Sequence, residues 1–255
     1  MDKTTQGHVT SQIENGIETI EFYHPSHNSL PSKLLSQLAN TISNAGTNNN
    51  VILIVLKSAG DRTFCAGASF DELVAIKDKE QGLSFFSGFA NVINAIRTCG
   101  KLVIGRVQGK AVGGGVGLAS ACDYCMATKY ASVKLSELAV GIGPFVIGPA
   151  VVRKVGLARF SQMAINAKEW YPAEWAKESG LYQEVFESSA HMDDYMDQFL
   201  DTLIDMNPVA MTELKRVFWE GTENWNVLLK ERAATSGELI LSPIAKKTIE
   251  GFLKA

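Results

Sequence analysis

Two buried-strand signals, the first a continuous aliphatic run, constrain this chain more than any other feature. Residues 51–56 read VILIVL and residues 101–107 read KLVIGRV. A strand with one wet face alternates apolar and polar residues, whereas a continuous aliphatic run of strand length suits a strand covered on both faces. Around them the periodicity switches repeatedly. Residues 17–23 (IETIEFY) alternate as a half-buried strand does. Residues 32–45 carry Leu34, Leu35, Leu38 and Ile42 at helical spacing. Helical patterns follow over 70–76 and 83–96, then a short apolar one over 116–121 and another over 150–155. Residues 124–128 and 132–135 read as strands. Such repeated strand–helix units predict an α/β core.

Beyond Trp170 the pattern is mostly helical, with candidates over 192–204, 208–219 and 224–239. The expected organisation is therefore a core over residues 1–195 and a helical module over 196–255. That module is expected to pack on the core or on a neighbouring subunit.

Bulk properties exclude several classes. With 24 basic and 27 acidic residues and no basic block, the chain lacks the electrostatic footprint of a nucleic-acid binder. No window offers the ~20 apolar residues of a membrane helix. Residues 1–11 are polar, without a signal-type apolar stretch, so a cytoplasmic protein with reduced thiols is expected. Cys65, Cys99, Cys122 and Cys125 form no disulfide framework. Cys122 and Cys125 have redox-motif spacing but read as two small hydrophobes near a helix end. No second Cys or His pair completes a zinc site, and no metal is expected.

Two small-residue loops each follow an aliphatic run and lead into a helix. The first is FCAGAS at 64–69, and the second is GKAVGGGVG at 109–117. Small residues at a strand end let a ligand approach the backbone, and free N–H groups at a helix start favour negative charge. Neither loop fits a phosphate-cradling NTPase motif or a dinucleotide fingerprint. Together they can supply one backbone N–H each to a single oxyanion.

These blocks carry a family resemblance. FCAGAS with FDEL behind it resembles the F-x-A-G-A-D loop of the crotonase (enoyl-CoA hydratase/isomerase) superfamily. VQGKAVGGGVGLASACD at 107–123 resembles that family's V-x-G-x-A-x-G-G-G-x-x-L-A-x-x-C-D segment. KLSELAVGIGP at 134–144 resembles its third block, in which a glutamate precedes a Gly and a Pro. The resemblance implies a ββα spiral with C-terminal helices that build a homotrimer or homohexamer. It also implies an acyl-CoA substrate and no cofactor besides, since CoA is part of the substrate. The N–H groups of Ala68 and Gly114 would form an oxyanion hole for the thioester carbonyl. Ala66 and Gly67 would lie against the adenine end of CoA, with Gly113 and Gly117 in the second loop also at the substrate. Lys215 would sit near the CoA phosphates.

By the same resemblance Glu137 is the catalytic carboxylate. Its neighbours Leu135, Leu138, Ala139 and Val140 are apolar, an environment that raises a carboxyl pKa. One departure matters. Hydratases of the family carry a second glutamate three residues after the middle glycine of the triplet, and here that position is Gly117. A single glutamate under an oxyanion hole can still move a proton between C4 and C2, so hydration and double-bond isomerisation both stay open. Other enolate reactions, decarboxylation or retro-aldol cleavage, need no second carboxylate either, and a non-catalytic acyl-CoA-binding trimer is the rival from another class. Ser69 replaces the family's common aspartate. Phe145 stands where some relatives place an aspartate, which argues against dehalogenase and dienoyl-isomerase chemistry. Phe85, Phe86 and Phe89 are expected in the core, and Asp71 and Glu72 at the solvated start of a helix.

Overall fold

A computed structural model describes residues 7–253. Strands β1 (His8–Glu14) and β2 (Ile17–Tyr23) form an antiparallel hairpin. Its two-residue turn is Asn15-Gly16, both at positive φ, the pair that matches strand twist best. β2 then pairs in parallel with β3 (Leu53–Ser58), followed by β5 (Leu102–Val107), β7 (Tyr124–Thr128) and β9 (Glu184–Phe186), giving the sheet order β1-β2-β3-β5-β7-β9.

A second parallel sheet has the order β4-β6-β8, from β4 (Thr63–Cys65), β6 (Lys110–Val112) and β8 (Val133–Lys134). Each of its strands follows a strand of the first sheet within a few residues: β3 to β4, β5 to β6, β7 to β8. A helical segment comes next each time. The chain thus repeats a strand–strand–helix turn and winds into a spiral.

The aliphatic runs are explained by what covers each face. Ile54, Leu56 and Val103 face the main core, which includes Leu35, Leu38 and Ile42 of α1 (Ser32–Thr47) and Phe89, Val92 and Ile96 of α3 (Lys79–Thr98). Leu53, Val55, Ile104 and Met126 face the other way, against Met192, Met196 and Leu200 of α7 (Ser189–Ile204). Burial of each such side chain contributes about 1.5–3 kcal/mol.

α7 bears on the expected division into a core and a helical module. The boundary at 195/196 falls inside this helix, which belongs to the sheet through its buried methionines. The chain leaves the sheet only after Ile204. The later helices are α8 (Pro208–Phe218), α9 (Trp225–Leu239) and α10 (Pro243–Leu253). α9 lies along α3 of its own chain, and α10 packs on the 3₁₀ turn Glu137–Val140. Between α3 and α9 the backbones touch at Gly82 and Gly237: a Cβ on Gly237 would lie 2.7 Å from the Gly82 carbonyl carbon. Among the described residues no helix is long and apolar enough to cross a membrane.

Candidate active site

The spiral brings the ends of β4, β6 and β8 together, and the site grows from those ends. After β4, Leu30 N–H donates to the Gly67 carbonyl (2.8 Å) and Ser69 N–H donates to the Leu30 carbonyl (3.0 Å). This parallel bridge uses the groups on either side of Ala68, so the Ala68 N–H points away from Leu30. The Ser29 hydroxyl holds the Ala68 carbonyl at 2.8 Å. Ser69 caps α2 (Phe70–Ala75) by accepting from Glu72 N–H. An aspartate would do the same, which accounts for serine at this position. Glu72 in turn accepts from the Ser32 N–H and hydroxyl (2.8 and 2.6 Å), a structural tie to α1.

After β6, Gly113 N–H donates to Lys134 of β8 (2.9 Å), and α4 (Gly114–Ala121) starts at the next residue. The first N–H groups of a helix have no partner within it. Among the described residues, neither Ala68 N–H nor Gly114 N–H donates a hydrogen bond. The two loops are in contact. Gly67 has φ +91°, and a Cβ there would lie 3.2 Å from the Val112 carbonyl oxygen and 3.6 Å from Gly114 N. Two free donors thus flank one junction, which is the arrangement an oxyanion needs.

Glu137 opens the 3₁₀ turn just beyond β8, and Gly141, at φ 84°, closes it. Its carboxyl leans over Gly113, where a Cβ would come within 2.8 Å of Oε1. Gly113 is therefore needed for the room it leaves. Oε2 is buried without a hydrogen-bond partner. Burial pushes the Glu137 carboxyl from its ordinary 4.5 up to about 7, against a smaller lowering by its own backbone N–H.

Ala66, Gly67, Ala68, Gly113, Gly114 and Glu137 all line one cavity of about 170 Å³. That is below the ~300–1,000 Å³ of pockets that enclose a drug-sized ligand. The cavity's other walls are apolar: Phe70 and Leu73 of α2, Phe85, Phe86 and Phe89 of α3, and the segment from Val140 to Ile147. The three α3 phenylalanines thus serve both as packing and as wall. Phe89 supports the second loop directly, since a Cβ on Gly114 would strike its ring at 2.3 Å.

Two expected substrate residues lie elsewhere. Lys215 is 2% exposed, and its Nζ pairs with Asp123 Oδ2 at 2.7 Å. Asp123 also accepts from Val103 N–H and Trp219 Nε1. Lys215 therefore ties α8 to the end of α4 and is withdrawn from any phosphate. Gly117 does not line the cavity. A Cβ there would lie 2.4 Å from Ile147 Cγ2, so Ile147, which does line it, fills the place where a side chain at 117 would stand.

Sequence reasoning missed Ile147, Ser136 and Ser236. Ile147 is one aliphatic residue in the Gly/Pro-rich segment 141–149, and Ser236 arrives from α9; neither carries a local signal. Phe145 does join the wall. Among the described residues no group of three or more His, Cys, Asp or Glu is placed to hold a metal ion. All four cysteines are free and buried, Cys65 with its thiol pushed by burial up to about 12.

A family model described as enoyl-CoA hydratase/isomerase matches residues 12–253. The chain is 29% identical to a peroxisomal Delta(3,5)-Delta(2,4)-dienoyl-CoA isomerase of Arabidopsis thaliana, over 84% of this chain and 81% of the relative. It is 31% identical to the mitochondrial methylglutaconyl-CoA hydratase of Rattus norvegicus, over 77% of this chain and 63% of that one. The crystal structure of an enoyl-CoA hydratase from Bacillus halodurans superposes with a TM-score of 0.88 at 20% identity. It covers 95% of this chain and 99% of its own, and so shares the fold.

Proposed function

Because the chain belongs to the enoyl-CoA hydratase/isomerase family, we propose that its reaction is the movement of a double bond along an acyl-CoA thioester, with Glu137 as the single proton carrier. The observation that carries this reading is the pairing of Gly117 with Ile147: the room for a second carboxylate is filled by an aliphatic side chain.

The thioester oxygen of a 3-enoyl-CoA accepts from Ala68 N–H and Gly114 N–H. Ionised Glu137 removes a proton from C2, and the electron pair spreads to the carbonyl oxygen as a dienolate. Each fixed donor stabilises that charge by about 3 kcal/mol. Protonated Glu137 then delivers the proton to C4, giving the conjugated 2-enoyl-CoA. A carboxyl that titrates at about 7 suits this work, because it takes and returns the proton with equal ease near neutral pH. The room left by Gly113 and the apolar wall hold the carboxyl over the junction of the two loops, which supports its serving both carbons.

Hydration is the second reading, favoured by relatives named as hydratases, among them a methylglutaconyl-CoA hydratase of Rattus norvegicus and a 2,3-dehydroadipyl-CoA hydratase of Escherichia coli. It would require Glu137 alone to position water and protonate C2. One assay separates the two. A short 3-enoyl-CoA should gain conjugated-thioester absorbance, and a short trans-2-enoyl-CoA should hold its absorbance. Rapid loss of the second signal without gain of the first would overturn isomerisation in favour of hydration. A homotrimer or homohexamer is part of this proposal. Exposed Leu214, Val217 and Phe218 on α8 and Val227 on α9 supply apolar surface for it, and a mass measurement in solution tests it.

A further inference from the structure

One hydroxyl in the acyl cavity is left unused by single-carboxylate chemistry. Ser236 lies on α9, is 1% exposed, and lines the cavity. Its position is fixed by the backbone contact of Gly82 with Gly237, one residue away. A helical Ser or Thr usually satisfies its hydroxyl by turning back to the carbonyl four residues earlier. Ser87 and Thr235 do so, at 2.6 and 3.1 Å. Ser236 makes no such bond, and its hydroxyl has no hydrogen-bond partner among the described residues. The facing α3 wall of Phe85, Phe86 and Phe89 offers it no acceptor. Unlike Glu137 Oε2, the Ser236 hydroxyl is not sealed from the cavity space, and a ligand there can meet it.

The oxyanion loops and Glu137 hold one end of the cavity, and α3 and α9 form another part of its wall. Ser236 lines the same cavity as the two loops, so an acyl chain whose carbonyl sat at the loops would share that space with it. Among the described residues the only other polar side chains on the wall are Ser136 and Glu137, and no Lys, Arg or His lines it. A carboxylate on the acyl tail would be desolvated with no cation to meet it. A neutral oxygen meets only the hydroxyl it needs.

We propose that Ser236 is a specificity-determining residue that hydrogen-bonds a neutral oxygen substituent, a hydroxyl or keto group, on the tail of the acyl chain. The preferred acyl class is then a short chain bearing such an oxygen, ahead of the plain alkyl chain and of the tail carboxylate. The inference rests on the acyl-CoA reading of the cavity and is independent of which reaction takes place there.

Binding separates the two questions. Dissociation constants of hexanoyl-CoA, 6-hydroxyhexanoyl-CoA and the adipic acid mono-CoA thioester are measured for the wild type and for Ser236→Ala. None of these saturated esters can be isomerised or hydrated. The wild type should bind the hydroxylated ester about five- to tenfold more tightly than the alkyl ester, and the dicarboxylic ester most weakly. Ser236→Ala should lose that preference while binding hexanoyl-CoA as before, which also shows the variant is folded. A preference that survives in the variant, its absence in the wild type, or tightest binding of the dicarboxylic ester would each overturn the assignment. Failure of all three esters to bind the wild type would instead sink the acyl-CoA reading of the cavity.

Discussion

Replacing Glu137 by Gln should make the protein more stable, and only above acidic pH. In the fold the Glu137 carboxyl titrates at about 7 because burial penalises its charge, while in the unfolded chain it returns to about 4.5. Below pH 4.5 the group is protonated in both states and stability is at its fullest. Between 4.5 and 7 the folded state keeps a proton that the unfolded state releases, so stability falls as pH rises. Above 7 both states are ionised and the loss levels off. At about 1.4 kcal/mol per pH unit between the two values, the plateau is roughly 3 kcal/mol. Glutamine has the same shape and no charge to desolvate. The stability difference between Glu137→Gln and wild type should therefore rise from below ~1 kcal/mol at pH 5 to ~3 kcal/mol at pH 8. Urea unfolding of both proteins at the two pH values, at one protein concentration, reads it directly; with m near ~3 kcal/mol/M the midpoint moves by ~1 M. An equal difference at pH 5 and pH 8 would refute the claim that Glu137 is buried without a compensating charge. The same variant should lose ~10²–10⁴-fold in turnover, so stability and activity move in opposite directions at one residue.

In the wild type, log kcat/KM for the 3-enoyl substrate should rise with unit slope at low pH and flatten near 7, as the base ionises; a flat profile from pH 5 to 8 would contradict a Glu137 base. Lys215→Met should destabilise by about 3–5 kcal/mol, because it strands the buried Asp123 carboxylate, and thermal unfolding measures it. An affinity loss for CoA esters without a stability loss would instead restore Lys215 to the substrate. Gly117→Glu alone should fold poorly against Ile147. Gly117→Glu with Ile147→Gly should fold and gain hydration of a trans-2-enoyl-CoA, followed as loss of thioester absorbance.

Much of the fold was legible because burial on two faces leaves a strong mark. The 51–56 run is aliphatic, and 102–104 with it, because α1 and α3 cover one side of the sheet and α7 the other. The unmarked strands are those without such cover. β1 is an edge strand with most of its residues in water, and its sequence HVTSQIE carries no aliphatic run. β4 and β6 are three residues long, too short to carry a period, yet the loops that follow them carry both candidate oxyanion donors. The helix expected over 150–155 stops one residue short of Gly156, where φ 74° interrupts the longer helical segment Gly148–Ile165.

The site divides along the same physical line. The candidate site residues Glu137, Ala68 and Gly114 stand in local motifs, because a proposed oxyanion hole is made of backbone and a backbone turn must be written in the residues beside it. Specificity is made of side chains that meet across the cavity, and their meeting is written nowhere locally. Gly117 shows the difference. By itself a glycine at that position leaves room for an ordered water, which would keep hydration chemically open. The structure gives that room to Ile147, thirty residues later, so the glycine and the isoleucine act as one feature. On the proposed reading the missing carboxylate and the filled space belong together, and a cavity with one proton carrier suits the reaction in which that proton leaves C2 and returns at C4.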